Sequence, residues 1–459
     1  MQTASSVSTS AVPAAAGQVS VIDRLARGSV LAFGLYLTGA AITYVAQLLV
    51  ARWVGSTSYG YYAYALAWMT TLAYVAALGF DVSLLRLLPA YCALGQWHLA
   101  RGVLQYAERR ITAAGVAIMI VGGLVLWRLS HSLPAEQLRT FAVGLILVPV
   151  WSLLWMSSSA VRAFGGVFSA VAPDRIVRDG GLMLIIALLT FVDGARFDAS
   201  GVMLTSVLCS FTGLIIVRIA LSQLRPRAVT HATPEYLKAI WRLTALPLVL
   251  INVAEALMNR TGTVLLGGAG QTIDAGIYAL TFNVAMTVML PRTAVNALFA
   301  PLVSELSTRG DRHQLQAVVT RSALWTLLSS VCIALPIMAL AEPLLSWFGP
   351  DFVRGATPLR VLLVGQVIAS GFGPQMFLMT MTGNERMAAT LLVGSAAVNA
   401  VLAAILIEHM GLTGAAIATT AALIVWNLAM AIFVWCRLGL APGLTAHIGV
   451  RGRAAKRLV

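Results

Sequence analysis

The chain has 459 residues, of which 59% are hydrophobic and only 10% are charged, and its mean hydropathy is +0.86. A soluble domain carries about 25% charged residues, so this composition excludes a soluble globular protein and favours one that folds in a lipid bilayer. Apolar windows of about 20 residues recur between residues 29 and 436. This is the pattern of an all-α, polytopic integral membrane protein.

The apolar windows predict twelve transmembrane helices joined by short connections. In chain order they are 29–51, 60–90, 105–127, 140–164, 176–192, 199–222, 239–266, 276–303, 316–341, 357–382, 387–407 and 411–436. The fifth has the weakest signal, because Asp179, Gly180 and Gly181 interrupt its start. The connections around 128–139 and 342–356 are the longest, with room for a small helix at most.

The net charge of +14 is explained by where the basic residues lie. With the N-terminus placed in the cytoplasm, most of the 31 Lys and Arg residues fall at the cytoplasmic ends of spans. The opposite face carries only Arg52, Arg128, Arg139, Arg196, Arg354 and Arg360. This asymmetry follows the positive-inside rule, which predicts both termini in the cytoplasm. The positive charge is therefore explained by the orientation of the spans and by contact with anionic membrane lipid, and it does not indicate a nucleic-acid partner.

The two ends of the chain, the histidines and the cysteines indicate whether to expect a signal peptide, a disulfide or a metal site. Residues 1–20 are small and polar, without the features of a cleaved signal peptide, so we expect a disordered cytoplasmic tail. Residues 441–459 are basic and predict a second cytoplasmic tail. The six histidines are scattered, and the four cysteines are isolated at Cys92, Cys209, Cys332 and Cys436. We expect no disulfide, metal or cofactor.

The chain contains a weak internal repeat. An offset of 216 residues aligns Gly60 with Gly276 and Tyr62 with Tyr278, and Ala63 with Ala279. Six spans precede the basic linker 223–238 and six follow it, so both halves enter the membrane from the same side. We therefore predict two parallel six-helix bundles, 21–222 and 239–440, that face each other across a central cavity.

The seventh span carries charges in an otherwise apolar window, INVAEALMNRTGTVLLGG (251–268). Asn252, Glu255 and Asn259 recur at helical spacing, Thr263 continues the stripe and Arg260 lies at its edge. An arginine at the centre of a membrane helix costs roughly 2.5–3.5 kcal/mol, so such residues face protein or water. The stripe predicts one wall of a hydrated cavity.

A second polar patch lies in the eighth span. Arg292 and Asn296 are four residues apart and follow Pro291, which we expect to kink the helix. A guanidinium group keeps its charge and can bind two phosphate oxygens at once, so Arg260 and Arg292 are suited to bind a pyrophosphate or an acidic sugar. We expect Asn252, Asn259 and Asn296 to bind the substrate beside them. Glu255 either balances the empty site or takes up a coupling ion. The alternative interpretation is a Glu255–Arg260 pair that only fixes helix packing.

The first half offers weaker candidates. Tyr36, Thr43 and Gln47 form a mild polar stripe on the first span, and Asp81 and Arg86 lie near the inner end of the second. A structural role is the better interpretation for these side chains, since charges near a span end reach water cheaply. The aromatic cluster Trp53, Tyr59, Tyr61, Tyr62, Tyr64 and Trp68 is most simply an interface belt, with stacking on sugars as the alternative.

One group of residues carries a family resemblance. Arg52 and Gly55 are followed by a Tyr59–Gly60 pair, then by Leu78, Gly79 and Arg86 at the end of a long second span. This pattern resembles the polysaccharide-transporter branch of the MATE-like MOP superfamily, the Wzx-type repeat-unit flippases. The resemblance implies translocation of undecaprenyl-pyrophosphate-linked oligosaccharide across a bacterial inner membrane, with a polysaccharide polymerase as a possible partner.

Two other functions compete with the flippase. A cation-coupled exporter of drugs or metabolites in the same superfamily would use an acid in the seventh span, which Glu255 matches. It would use another in the tenth, and residues 357–382 contain no Asp or Glu. A membrane enzyme is disfavoured, because the short outer loops hold no convergent acid–base residues.

Overall fold

The computed structural model describes residues 15–193, 198–292, 312–441 and 443, and all regular secondary structure in these ranges is helical. Asn296 and nearly all of the predicted C-terminal tail lie outside the described residues. Residues 15–20, which were predicted to belong to a disordered tail, form the start of the first helix.

The helices follow one another with short connections. They are α1 (Ala15–Ala77), α2 (Phe80–Ala93), α3 (Trp97–Leu129), α4 (Ala135–Gly144), α5 (Leu147–Ala163), α6 (Val167–Ala172), α7 (Arg178–Asp193), α8 (Ala199–Leu224), α9 (Arg227–His231), α10 (Lys238–Gly268), α11 (Thr272–Met286), α12 (Arg312–Ala339), α13 (Ala341–Ser346), α14 (Ala356–Gly371), α15 (Gln375–Met381) and α16 (Glu385–Phe433). Two 3₁₀ turns (Thr287–Met289 and Pro350–Gly355) and two π turns (Pro173–Val177 and Val434–Leu438) extend them.

Two of the helices are too long for a single crossing and are broken at glycines. The 63 residues of α1 would span roughly 95 Å as a straight helix, about three times the hydrocarbon core. At Gly55 the backbone leaves the helix with φ 79° and ψ 170°, and at Gly411 in α16 with φ 53° and ψ −127°. Positive φ is costly for any side chain with a Cβ, so glycine permits both reversals.

The described residues contain nine segments that are long and apolar enough to cross a membrane. Two of these, Thr38–Ala93 and Glu385–Arg437, contain the breaks at Gly55 and Gly411 and have the length of two crossings each. The predicted fifth span, which had the weakest sequence signal, is not among the nine. The chain is a multi-pass membrane protein, and the number twelve stays a prediction.

Several predicted boundaries are corrected by the structure. The fifth helical segment begins at Val167, nine residues before the predicted start, because the chain continues through the π turn Pro173–Val177 as helix. The second span is interrupted at Leu78 and Gly79, both with positive φ. In the eighth, the 3₁₀ turn Thr287–Met289 precedes Pro291, which lacks the N–H that would bond to the carbonyl of Thr287.

The helices pack in two groups that meet along α1, α10 and α11. In the first group α5 packs against α1, α2, α3 and α8, and α7 packs against α1 and α8. In the second group α16 packs against α10 and α14, and α14 against α11 and α12. The groups touch where α1 lies against α10 and α11. This is the predicted arrangement of two facing bundles, while the exact domain boundaries remain predictions.

The segment between the two groups is anchored on the first one. The Arg101 guanidinium donates to the carbonyl of Ala232 at 2.7 Å, and the Tyr236 hydroxyl donates to Gln105 at 2.9 Å. Trp241, fully buried at the start of α10, donates to the Tyr91 hydroxyl at 2.9 Å. The first turns of α10 therefore pack with the N-terminal group, and its remainder packs with α11 and α16.

The repeat seen in the sequence lies at the interface of the two groups. A Cβ on Gly60 would lie 2.2 Å from the carbonyl oxygen of Thr272, and one on Gly276 would lie 2.7 Å from the Cα of Gly60. The two repeat-equivalent glycines thus meet each other. The equivalent tyrosines bond within their own halves, Tyr62 to Ser206 at 3.1 Å and Tyr278 to Thr419 at 2.8 Å.

We expect Gly276→Ala to lower the thermal stability of the protein in detergent. The added Cβ meets backbone, and such overpacking costs about 1–3 kcal/mol. Gly123→Ala is the matched control, because a Cβ on this helical glycine of α3 has nothing within 4 Å. Thermal unfolding followed by size-exclusion chromatography measures both variants. Equal midpoints for Gly276→Ala and the wild type would contradict the close contact.

Candidate functional site

A cavity of about 510 Å³, here called the central cavity, lies between the two groups of helices. Its wall is built from the first and second spans of α1, from α10, and from α11 with the following turn. Four of the side chains predicted to bind substrate or ion line it, namely Asn252, Glu255, Asn259 and Arg260. Thr263, which continues the same stripe in the sequence, is buried by packing and is not part of the lining.

The helical stripe on α10 explains why these charges are tolerated. The exposed leucines Leu243, Leu246, Leu250 and Leu257 occupy other faces of α10. Glu255 is exposed to the space between the halves, and Arg260 and Asn259 are partly exposed. Charged side chains in contact with a hydrated cavity avoid the cost of transfer into hydrocarbon. Asn252, Glu255, Asn259 and Arg260 therefore line the central cavity from α10, and their role in binding substrate or ion stays a prediction.

Arg260 and Glu255 do not pair with each other. Within the described ranges, neither side chain takes part in an ion pair of 4.0 Å or less. The alternative interpretation, a Glu255–Arg260 pair that fixes packing, is therefore wrong. Arg292 is outside the lining of the central cavity and forms no ion pair of 4.0 Å or less with Glu255.

A second arginine of the central cavity was missed in the sequence. Arg175 was assigned to a cytoplasmic connection, but it lies in the π turn between α6 and α7 and lines the central cavity. Its Cβ packs where a Cβ on Gly39 would lie, 2.9 Å away. Its side chain is 42% exposed, and its nearest carboxylate, Asp174, is 3.9 Å away. The signal that could have revealed it is the run Asp174, Arg175, Arg178, Asp179, which repeats charge at helical spacing.

The neighbouring Arg178 is bound tightly by the protein. It falls at the start of the predicted fifth span, and its guanidinium lies 2.8 Å from Asp174 and 2.8 Å from Asp179, and 5.4 Å above the Trp151 ring. Thr43 of the first span donates to Asp179. A buried arginine with two carboxylates and an aromatic partner is internally neutralised. Arg178 therefore joins the start of α7 to α5, and Asp179 joins it to α1, whereas the side chain of Arg175 is 42% exposed and can reach a ligand.

A smaller cavity of about 270 Å³, here called the side cavity, adjoins the central one within the N-terminal group. The two share Tyr74 and Arg175 in their linings. The other residues that line the side cavity are Asp81, Val82, Leu85, Trp155, Ser158, Ser159, Arg162, Ala170, Val171 and Asp174. The Arg162 guanidinium donates to Ser159 at 3.0 Å, and the Ser159 hydroxyl donates to the carbonyl of Asp81.

Asp81, expected to have a structural role, joins the two groups of helices. It is only 8% exposed, and its carboxylate accepts a hydrogen bond from the Asn252 amide of α10 at 2.8 Å. Gly79 permits this approach, because a Cβ there would lie 2.4 Å from the carbonyl oxygen of Ala245. One of the predicted binding residues, Asn252, is thus partly committed to an interface contact.

The halves also meet at the end of the molecule that carries Gly55, which the topology prediction places outside. The Ser56 hydroxyl donates to Asp351 at 2.6 Å, and the Asn283 amide donates to Gln47 at 3.0 Å. Two edge-to-face aromatic pairs, Tyr59–Phe352 and Tyr44–Phe348, lie beside them with ring centroids 5.6 Å and 5.5 Å apart. These contacts close the central cavity on that side.

The same contacts correct the interpretation of the aromatic cluster. Tyr59 is 2% exposed and Tyr62 is 6% exposed, so these two rings belong to the protein interior and not to an interface belt. Trp68, at 36% exposure, remains at the surface. Aromatic rings at an interface of helices resemble belt residues in sequence, because both occur near the ends of spans.

No protein-family model matches the sequence. Among known proteins, the uncharacterized membrane protein EpsK of Bacillus subtilis (strain 168) is 30% identical over 201 residues. The matched segment is 42% of this chain and 37% of EpsK, so well under half of that relative is covered.

Solved structures of two kinds of transporter are similar over most of the chain. An inward-facing multidrug resistance MATE family transporter of the MOP superfamily has a TM-score of 0.68 at 15% identity, over 87% of this chain and 94% of that one. The lipid II flippase MurJ, in an inward closed conformation, has a TM-score of 0.63 at 14% identity, over 88% and 87%. The MATE multidrug transporter DinF-BH has a TM-score of 0.62 at 16% identity, over 90% and 95%. The chain is therefore a multi-pass membrane protein that shares the fold of these structures.

Proposed function

We propose that this protein is a flippase that moves a polyprenyl-pyrophosphate-linked oligosaccharide from the inner to the outer leaflet of a bacterial inner membrane. The observation that carries the proposal is the presence of two guanidinium groups in a cavity between two halves: Arg260, which has no ion pair among the described residues, and Arg175, whose contact with Asp174 is a long one of 3.9 Å. The residue pattern that resembles Wzx-type flippases points to the same cargo. The fold shared with MurJ, whose structure is named a lipid II flippase, supports the class of reaction.

The charge of the central cavity favours an anionic headgroup. Its lining holds two arginines, Arg175 and Arg260, against the single carboxylate Glu255. A pyrophosphate presents several oxygens to such forks, and each charge-assisted hydrogen bond is stronger than a neutral one. Asn259, which makes no hydrogen bond to any described residue, adds an amide donor beside Arg260. Arg292 and Asn296 are proposed to complete the site when the halves move.

The contacts between the halves suit alternating access. On the side of Gly55 the halves are joined by Ser56–Asp351 and by the meeting of Gly60 with Gly276. Nearer the other end they are joined by Asn252–Asp81. Rocking of one half against the other opens one set of contacts while the lipid tail stays in the bilayer beside the cavity. In this proposal both termini are cytoplasmic, and the product serves a polysaccharide polymerase.

We expect Arg260→Ala and Arg292→Ala to abolish surface polysaccharide in a strain that carries the variant as its only copy. Loss of a charge-assisted hydrogen bond costs about 1.5–3 kcal/mol, roughly ten- to a hundredfold in headgroup affinity. Arg260→Lys should restore part of the output, because it keeps the charge without the planar fork. Extraction and quantification of surface polymer measures this, with immunoblots to show equal protein.

The matched control is Arg109→Ala, which removes an exposed arginine at a distance from both cavities. Its polymer output should equal that of the wild type. Normal output from both Arg260→Ala and Arg292→Ala would remove the proposed headgroup site.

We expect a disulfide between Ser56→Cys and Asp351→Cys to stop translocation. The two side chains are in hydrogen-bond contact, so oxidation would hold the Gly55 end closed. The experiment starts from a variant without Cys92, Cys209, Cys332 and Cys436. Flipping of fluorescent lipid-linked sugar in proteoliposomes should fall under oxidant and recover with reductant, and each single-cysteine variant should be insensitive. Unchanged flipping in the cross-linked protein would rule out opening at this end.

A cation-coupled drug exporter is the second candidate, because Glu255 is exposed in the central cavity without an ion pair among the described residues. The tenth-span helix α14, which packs against α11 and α16, contains no Asp or Glu. We therefore expect a deletion strain to lose surface polysaccharide and to keep wild-type sensitivity to cationic dyes. Increased dye sensitivity with normal polysaccharide would favour the exporter.

A further inference from the structure

The side cavity differs from the central cavity in its charge. Two arginines, Arg162 and Arg175, and two carboxylates, Asp81 and Asp174, line it, so its formal charge is balanced. The carboxylates would repel a phosphate, and the arginines would repel a cation. A ligand with no net charge that both donates and accepts hydrogen bonds suits this lining best. Sugar hydroxyl groups have this property.

An aromatic wall runs from the central cavity into the side cavity. Tyr74 lines both, and its ring stacks on Trp155 with centroids 4.4 Å apart and an angle of 28° between the planes. Trp151, which is buried and lines neither cavity, packs against Trp155 with ring centroids 6.0 Å apart. Rings with one apolar surface and one polar edge bind partners that are themselves part apolar and part polar. The C–H faces and hydroxyl edges of a pyranose are such a partner.

Polar atoms in the wall of the side cavity lack protein partners. The Ser158 hydroxyl and the Nε of Arg162 make no hydrogen bond to any described residue, and Oδ1 of Asp81 has no side-chain partner. Ser158 is 6% exposed and Asp81 is 8% exposed. A buried polar group without a partner costs about 1–3 kcal/mol, so such groups call for a ligand or ordered water.

We propose that the side cavity is a carbohydrate subsite that holds the uncharged sugar next to the pyrophosphate, while Arg260 and Arg175 hold the pyrophosphate in the central cavity. This inference rests on the proposed flippase function and adds where the glycan lies. Arg175 stands at the junction of the two cavities, where the sugar–phosphate linkage would lie. Trp155 and Tyr74 stack on the sugar, and Arg162, Ser158 and Asp81 bond to its hydroxyls.

The test compares binding of lipids with and without a sugar to the full-length protein in nanodiscs. The probes are undecaprenyl pyrophosphate and the same lipid bearing one glucose, galactose or N-acetylglucosamine. For the wild type, at least one sugar-bearing lipid should bind about tenfold more tightly than the bare lipid, which corresponds to one well-stacked ring and its hydrogen bonds. Microscale thermophoresis measures the four affinities.

The variants separate the two cavities. Trp155→Ala and Arg162→Gln should each abolish the additional affinity that the sugar gives to the lipid, and should leave the affinity for the bare lipid unchanged. Trp155→Phe should recover part of the gain, because it keeps an aromatic face. Arg260→Ala should weaken all four lipids alike. Trp325→Ala, which removes an indole that is 68% exposed on α12, is the matched control and should behave as the wild type.

The outcomes distinguish the two proposals. If the wild type binds the bare lipid and gains nothing from any sugar, or if the gain survives in Trp155→Ala and Arg162→Gln, the carbohydrate subsite is wrong and the flippase stands. If the wild type binds none of the four lipids, the flippase proposal fails and the subsite fails with it. Thermal unfolding of each variant shows whether it is folded, so that a loss of the additional affinity for sugar-bearing lipid is not mistaken for misfolding.

Discussion

The low dielectric of the bilayer is the constraint on which this structure depends, because a guanidinium group there must meet water or a counter-charge. The protein uses both solutions in neighbouring parts of its interior. Arg178 is bound between Asp174 and Asp179. Arg260 has no ion pair among the described residues and lines a cavity. The ion pairs of Arg178 fix the start of a helix, whereas the charge of Arg260 is available to a ligand in the cavity.

The contact between the halves has the properties of a surface that separates. Glycines bring the two backbones together at Gly60 and Gly276, beside the aromatic pair Tyr59–Phe352. The polar contacts on either side are few and local, such as Ser56–Asp351 and Asn252–Asp81. An interface of this kind is tight enough to seal one end and weak enough to open when a ligand favours the other state.

In the proposed flippase, the two cavities bind different parts of a lipid-linked glycan. The central cavity carries an excess of positive charge and lies where the halves meet, so a bound anion contacts both. The side cavity is charge-balanced, aromatic and contained in the N-terminal group of helices. Arg175 and Tyr74 belong to both linings and connect them. Binding a headgroup and its sugar in separate compartments would let one protein require both parts of its substrate.

The sequence by itself determined the class of protein and much of the fold. The spans were recognisable because hydropathy depends only on local composition. The polar stripe on α10 was recognisable because residues three and four apart share a helix face. The offset that aligns Gly60 with Gly276 correctly indicated two parallel halves. The motif around Gly55 and Gly79 resembles a family to which structures of the same fold belong, and the fold agrees with the one expected from that resemblance.

Only the tertiary structure decided which charges are free. Local sequence cannot show that α6 and α7 continue through a π turn, since Pro173 is typical of a loop, and Arg175 was therefore placed outside the membrane region. Nor can it show that Tyr59 faces the other half, or that Asp81 and Asn252, 171 residues apart, bond to each other. These contacts join distant segments, and their partners are set by how the two halves pack, which no local pattern encodes.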